Sequence, residues 1–146
     1  MDLFKLFFLI FIVSSCSAPR PNNLGIVEAK LSPCPDKPNC VSSFAASEDE
    51  HFLPAIKIIS NKERAHLKIS GILTKNGSAK IISTTADYIH AEYTSSVFKF
   101  VDDVEFYFGI DQLVHFKSAS RTGRSDLGVN KKRMEEIRFK FQQNDF

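Results

Sequence analysis

Four side chains in two short stretches carry the strongest chemical signal in the chain. His90 and Glu92 stand two residues apart in Tyr88-Ile89-His90-Ala91-Glu92-Tyr93, and Asp103 and Glu105 stand two apart in Val101-Asp102-Asp103-Val104-Glu105-Phe106. On an extended backbone that spacing turns both members of a pair to the same face. If the two stretches are neighbouring strands, an imidazole lies beside paired carboxylates, a set that can share a proton or hold a metal ion. His90, Glu92 and Asp103 are therefore the candidate catalytic residues. Against catalysis stands the lack of a placed nucleophile. Ser95, Ser96, Ser118 and Ser120 are available, but no Gly-x-Ser-x-Gly elbow presents any of them. A structural polar face, with His90 hydrogen-bonded to a carboxylate, explains the same residues with fewer assumptions; ligand binding and catalysis are its rivals.

A second constellation is Ser120-Arg121-Thr122-Gly123-Arg124-Ser125-Asp126, ahead of a helix that opens with Lys131-Lys132-Arg133. Backbone amides at that helix N-terminus, with Arg121, could hold a phosphate or carboxylate, so Arg121, Arg124, Asp126 and Asn130 are candidate ligand-binding residues. Gly123 and Gly128 are spaced like those of a phosphate-cradling loop, but Val129-Asn130 replaces the required Lys-Ser/Thr, and nucleotide binding is rejected. From Lys117 to Lys140 there are eight positive and three negative residues, an excess of five. That patch could face anionic lipid headgroups. The plainer alternative pairs Arg121 with Asp102 or Asp103 while Asp126 and Asn130 cap the turn and the helix.

Residues Met1 to Ser15 contain one Lys and an apolar run from Leu6 to Val13, far shorter than the roughly 20 residues of a spanning helix. The run ends in Val13-Ser14-Ser15-Cys16, and this resembles the signal peptide and lipobox of bacterial lipoproteins. The resemblance implies cleavage before Cys16 and diacylglyceryl attachment to its sulfur, with the membrane as a partner through that anchor. Ser17 at the next position implies sorting to the outer membrane, with the domain facing the periplasm. The polar, proline-bearing stretch that follows reads as a short extended tether.

Cys34 and Cys40 remain, five residues apart between prolines, in a chain expected to meet an oxidising compartment. A local disulfide is the economical reading, with two free thiols and a metal or redox role as alternatives. Zinc would need two further ligands, and the histidines at 51, 66, 90 and 115 show no paired spacing near these thiols. No metal or other cofactor is expected.

The elements that must position these residues follow from periodicity. Ser60-Asn61-Lys62-Glu63 is a capping box, followed by Ala65, Ile69, Ile72 and Leu73 on one helical face, which predicts a helix over 61–74. The period then becomes two, predicting strands over 80–84, 88–94, 97–108 and 113–119 in an antiparallel meander. Ile89, Ala91 and Tyr93, then Val104, Phe106 and Phe108, then Val114 and Phe116 form the apolar sheet face. His90, Glu92, Asp103, Glu105, Tyr107, His115 and Lys117 fall on the opposite face. Asn130 is a suitable N-cap for a closing helix carrying Met134, Ile137 and Phe141, although Ile137, Phe139 and Phe141 also alternate as a strand would. The expected fold is α+β, a single antiparallel sheet covered on one face by two or three helices. Its expected divisions are residues 1–15 as signal peptide, 16–30 as lipidated N-terminus and tether, and 31–146 as one globular domain.

Three blocks occur in order: Cys34-Pro35-Asp36-Lys37-Pro38-Asn39-Cys40-Val41-Ser42-Ser43; Tyr88 to Ser95 continuing into Phe98 to Phe106; and Ser118 to Asn130. Together they resemble the domain-of-unknown-function 1499 family over about residues 31 to 141. Arg124 departs from that family at a position often aromatic in relatives. The resemblance implies fold and envelope location and assigns no reaction. With 146 residues, 43% apolar and 25% charged, and a net charge of only +2, the chain is one modest globular domain without the charge of a nucleic-acid binder. The expected role is a membrane-anchored envelope lipoprotein with a non-catalytic binding or maintenance function. The rivals are a hydrolase or metal-dependent enzyme using the His/carboxylate set, and a carrier of lipid or saccharide with an apolar cavity between sheet and helices.

Overall fold

The computed structural model describes residues 18–143. The proposed signal peptide, Cys16 and Ser17 lie outside the described residues. In chain order the elements are β1 (Ile26–Val27), β2 (Lys30–Leu31), β3 (Cys40–Ser42), β4 (Ile56–Lys57), α1 (Lys62–Thr74), β5 (Ala79–Thr84), β6 (Tyr88–Thr94), β7 (Val101–Phe108), β8 (Leu113–Ser120) and α2 (Val129–Gln142). The architecture is α+β. A large antiparallel sheet runs β3-β8-β7-β6-β5, with β4 sharing the β8 edge with β3. A second, two-stranded sheet, β1-β2, adds to the single sheet expected from the sequence.

Strand register builds two contrasting faces. Ile89, Phe106 and Phe116 form one cross-strand row, and Ala91, Val104 and Ser118 the next. Both helices pack on this face, burying Ala65, Ile69, Ile72 and Leu73 from α1 and Met134, Ile137 and Phe141 from α2. Phe106, Phe108 and Phe116 are fully buried, each contributing about 2–3 kcal/mol of apolar transfer free energy. This filled core leaves the space between sheet and helices to side chains, which counts against a carrier with an interior cavity there.

Several boundaries move for local reasons. The cap of α1 is Asn61, one residue later than the capping box implied, and its side chain accepts from Arg64 N at 2.9 Å. β7 begins at Val101, four residues later than its alternation predicted. Residues 95–100 instead close a loop in which Ser95 and Phe100 exchange bonds, Ser95 N to Phe100 O and Phe100 N to Ser95 Oγ, both at 2.9 Å. The alternation of Ile137, Phe139 and Phe141 belongs to a helix, with Phe139 63% exposed between two buried neighbours. Asn130 does not cap that helix. Gly128 stands at the N-cap with φ 80°, and Asp126 supplies the capping oxygens to Gly128 N at 3.0 Å and Asn130 N at 2.7 Å. The Cys34–Cys40 disulfide is formed, with Cα atoms 5.7 Å apart.

Candidate functional site

The face opposite the helices carries the sequence-predicted cluster in adjacent rows, Glu92 opposite Asp103, and His90 opposite Glu105 opposite Lys117. Two carboxylates directly opposed across a ladder repel. Arg121, leaving the end of β8, resolves this. It grips Asp103 with two bonds of 2.7 Å, from Nε to Oδ2 and from Nη2 to Oδ1, and Nη2 also donates to Glu92 Oε1. His90 Nε2 lies 2.8 Å from Asp103 Oδ1. Arg20 reaches Glu92 Oε1 at 2.7 Å from the other side. Burial alone would push the Asp103 carboxyl up, but its bonds to Arg121 and His90 hold it below the ordinary carboxylate range. Glu92 is likewise depressed, by Arg121 and Arg20, against the effect of its burial.

The segment before β3 covers this face. Glu105 Oε1 accepts from Gly25 N and from the Tyr88 hydroxyl, both at 2.7 Å, while its Oε2 lies 3.1 Å from Lys117 Nζ. Lys117 also donates to Ser32 Oγ. Burial and the Glu105 charge raise the Tyr88 hydroxyl pKa, so Tyr88 stays a donor. His90, Asp103, Glu105 and Lys117 are all buried.

One ligand atom each from His90, Glu92 and Asp103 lies within 4.8 Å of the others, the geometry a metal would require. Both Asp103 oxygens and Glu92 Oε1 already face guanidinium nitrogens, so a divalent cation would have to displace Arg121 against two fixed positive charges. The arrangement is chemically a closed set of ion pairs. A hollow of about 450 Å³ runs beneath the disulfide loop to Asp103, Lys117 and Arg121, with buried Asn39 on its wall.

The other candidate ligand residues part company. Arg124 is exposed. Asn130 is fully buried on the helix side of the sheet, where it accepts from Arg133 Nη1 at 2.7 Å and donates to Ser120 Oγ, Asp126 Oδ2 and Asn39 O at 2.8–3.1 Å. Arg133 also donates to Asp102 Oδ2 at 2.6 Å and lies over the Tyr93 ring, 4.4 Å from its centroid. So Arg121 pairs with Asp103, and Asp102 belongs to Arg133. Sequence reasoning missed Arg133, Arg20 and Asn39; the last stands within the cysteine block, and the first opens the closing helix, but neither position reveals its partner.

It also missed a Ser43–His115–Asp111 chain. His115 Nε2 lies 2.8 Å from Asp111 Oδ2, and its Nδ1 3.3 Å from Ser43 Oγ. Ser43 Oγ is held in addition by Phe116 N at 2.9 Å and Phe44 stacks on the imidazole. These bonds tie β8 to the segment after β3, and the serine is an edge clamp.

An open cleft of about 550 Å³ lies beside the Asn130 network, between the 95–100 loop and the start of α2. Ser78, Thr94, Ser95, Ser120, Thr122 and Ser125 line it, together with Phe100, Lys132 and the carboxylates Asp126 and Glu136. The buried Tyr93 hydroxyl on its wall has no hydrogen-bond partner among the described residues, and burial pushes its pKa up to about 12.

A family described as a protein of unknown function, DUF1499, matches residues 30–141 of the chain. No curated protein and no solved structure matches it.

Proposed function

The chain belongs to the DUF1499 family, and from that premise we propose that it is a lipid-anchored, non-catalytic binding module of the bacterial envelope. Its ligand site is the hydroxyl-lined cleft, and the ligand is polyhydroxylated, of the saccharide class. The observation that carries this reading is the contrast between the two polar regions. The charged face is consumed by its own ion pairs and by the segment lying on it, whereas the cleft is open and lined by six serines and threonines between charges of both signs. Its serine and threonine hydroxyls match a ligand that both donates and accepts, and the half-exposed Phe100 ring offers a surface for the apolar face of a sugar. Asp102 and Arg133 pair with each other at the margin, and Asp126, Glu136 and Lys132 bring the lining to three carboxylates against two cations, so the cleft has no cationic excess to select an anion. The lipobox-like leader supports the anchor, and the disulfide suits an oxidising compartment.

An enzyme remains the second reading, favoured by the hollow that reaches Asp103 and Arg121. NMR titration of the chain with envelope-type oligosaccharides separates the two. The binding reading expects shifts at Ser95, Thr122 and Lys132, none at His90, and an unchanged ligand. Shifts centred on His90 and Asp103, or turnover of the saccharide, would overturn it.

A further inference from the structure

Five of the ten exposed large apolar side chains among the described residues, Val97, Phe98, Phe100, Leu127 and Val129, gather at one end of the large sheet. The 95–100 loop joining β6 to β7 projects Val97, Phe98 and Phe100, with Phe98 72% exposed and its ring stacked 5.5 Å from that of Phe100. Lys99 at the tip adopts φ 57°, a left-handed conformation that a lysine adopts only at a cost. Arg121 N bonds to Val101 O, which brings the 121–128 loop to the same end, and that loop adds Leu127, 95% exposed. Phe100 and Val129 line opposite sides of the cleft mouth, with Lys132 beside them. An exposed set of this kind, apolar side chains ringed by lysines and arginines, has no packing role within the chain.

The path of the N-terminus decides what covers it. Arg20 is paired to Glu92, two residues before the end of β6, which is about 7 Å along the strand from the base of the loop. Cys16 lies four residues before Arg20, so with both side chains extended its sulfur stays within about 25 Å of that ion pair. Followed backward, the chain runs from Gly25 on Glu105, opposite His90, to Arg20 on Glu92, two residues nearer the loop, so an anchor at Cys16 is directed toward the apolar end of the sheet. The turn at 109–112, where Ile110 is 96% exposed, lies at the far end of β7.

We propose that the 95–100 tip, with Leu127 and Val129, is a membrane-docking surface that enters the lipid interface and sets the orientation of the domain. Val97, Phe98 and Leu127, the most exposed of the set, supply the apolar insertion, with Phe100 left at the cleft, while Lys99, Arg124 and Lys132 meet anionic headgroups. The cleft mouth then faces the headgroup layer. This rests on the anchored reading above only for the direction from which the membrane approaches.

The chain contains no tryptophan, so Phe98→Trp and Ile110→Trp each install a single reporter at opposite ends. Both positions are exposed and leave the core intact. Each full-length variant, purified from membranes, is placed in phosphatidylethanolamine/phosphatidylglycerol vesicles with brominated acyl chains. The proposal expects the reporter at 98 to be quenched roughly threefold or more over the one at 110, with a blue-shifted emission. Equal quenching of the two would overturn it. The intact mass of the same samples separates this from the anchor. An acylated chain with equal quenching sinks the docking surface alone. A chain without acyl groups sinks the anchor, and the ratio between the two reporters on the same vesicles still decides the docking surface.

Discussion

Arg121 is the residue on which the charged face turns. It separates two carboxylates that register forces together, and Lys117 in the adjacent row cannot take its place, because it is held by Glu105 and Ser32. Removing one partner of a buried ion pair leaves the others uncompensated, so Arg121→Met is expected to cost about 3–5 kcal/mol, read as a shift in the urea midpoint at constant slope. The pH dependence has a definite sign. Asp103 and Glu92 have folded pKa values below their unfolded ones of about 4. Their contribution is complete above about pH 4 and is lost as the pH falls through the folded values. Urea titrations at pH 7 and pH 3 should therefore show a weaker protein at pH 3, and Asp103→Asn should be less stable at pH 7 with a flatter acid limb. An unchanged acid limb in that variant would remove Asp103 from the account.

At the level of elements, local signals located what is local. The Asn61 cap is bonded to Arg64 N, and Asn61→Ala should lower stability by about 1 kcal/mol, measurable by thermal denaturation. Replacing Cys34 and Cys40 together by alanine should cost about 2 kcal/mol, because the closed loop is short. Asn130→Ala should cost about 1–3 kcal/mol, because the buried Ser118 hydroxyl loses its acceptor. The helix over 61–74, strand β6 and the two sheet faces were legible because periodicity and turn chemistry act within a few residues. Val97 to Phe100 misled for the same reason: alternation continues through them, and only the Ser95–Phe100 bonds reveal a loop. β1 to β4 are two or three residues long, too short for any period, and depend on partners far along the chain. The proximity of His90, Glu92 and Asp103 was readable from strand pairing, and Arg121 on Asp103 was one of the pairings the sequence offered; the reach of Arg121 and Arg20 to Glu92 was not, since both arginines lie outside the paired strands.

For the whole molecule, the N-terminal segment is part of the domain from Arg20 onward. It lies on the charged face through Gly25 and Ser32 as well as Arg20, so the first described residue bonded to the fold lies only four positions after the proposed anchor at Cys16. Arg20 itself is half exposed, and Arg20→Ala should change stability by less than about 1 kcal/mol; its effect belongs to orientation on the membrane. On the proposed reading, anchor, apolar tip and cleft mouth share one end of the molecule, and the proposed binding surface would lie at the lipid headgroups. The most direct measurement of that arrangement is the intact mass of the chain recovered from membranes. The account predicts a mature protein beginning at Cys16 and carrying a diacylglyceryl group. A chain that retains residues 1–15 with an unmodified Cys16 would contradict it.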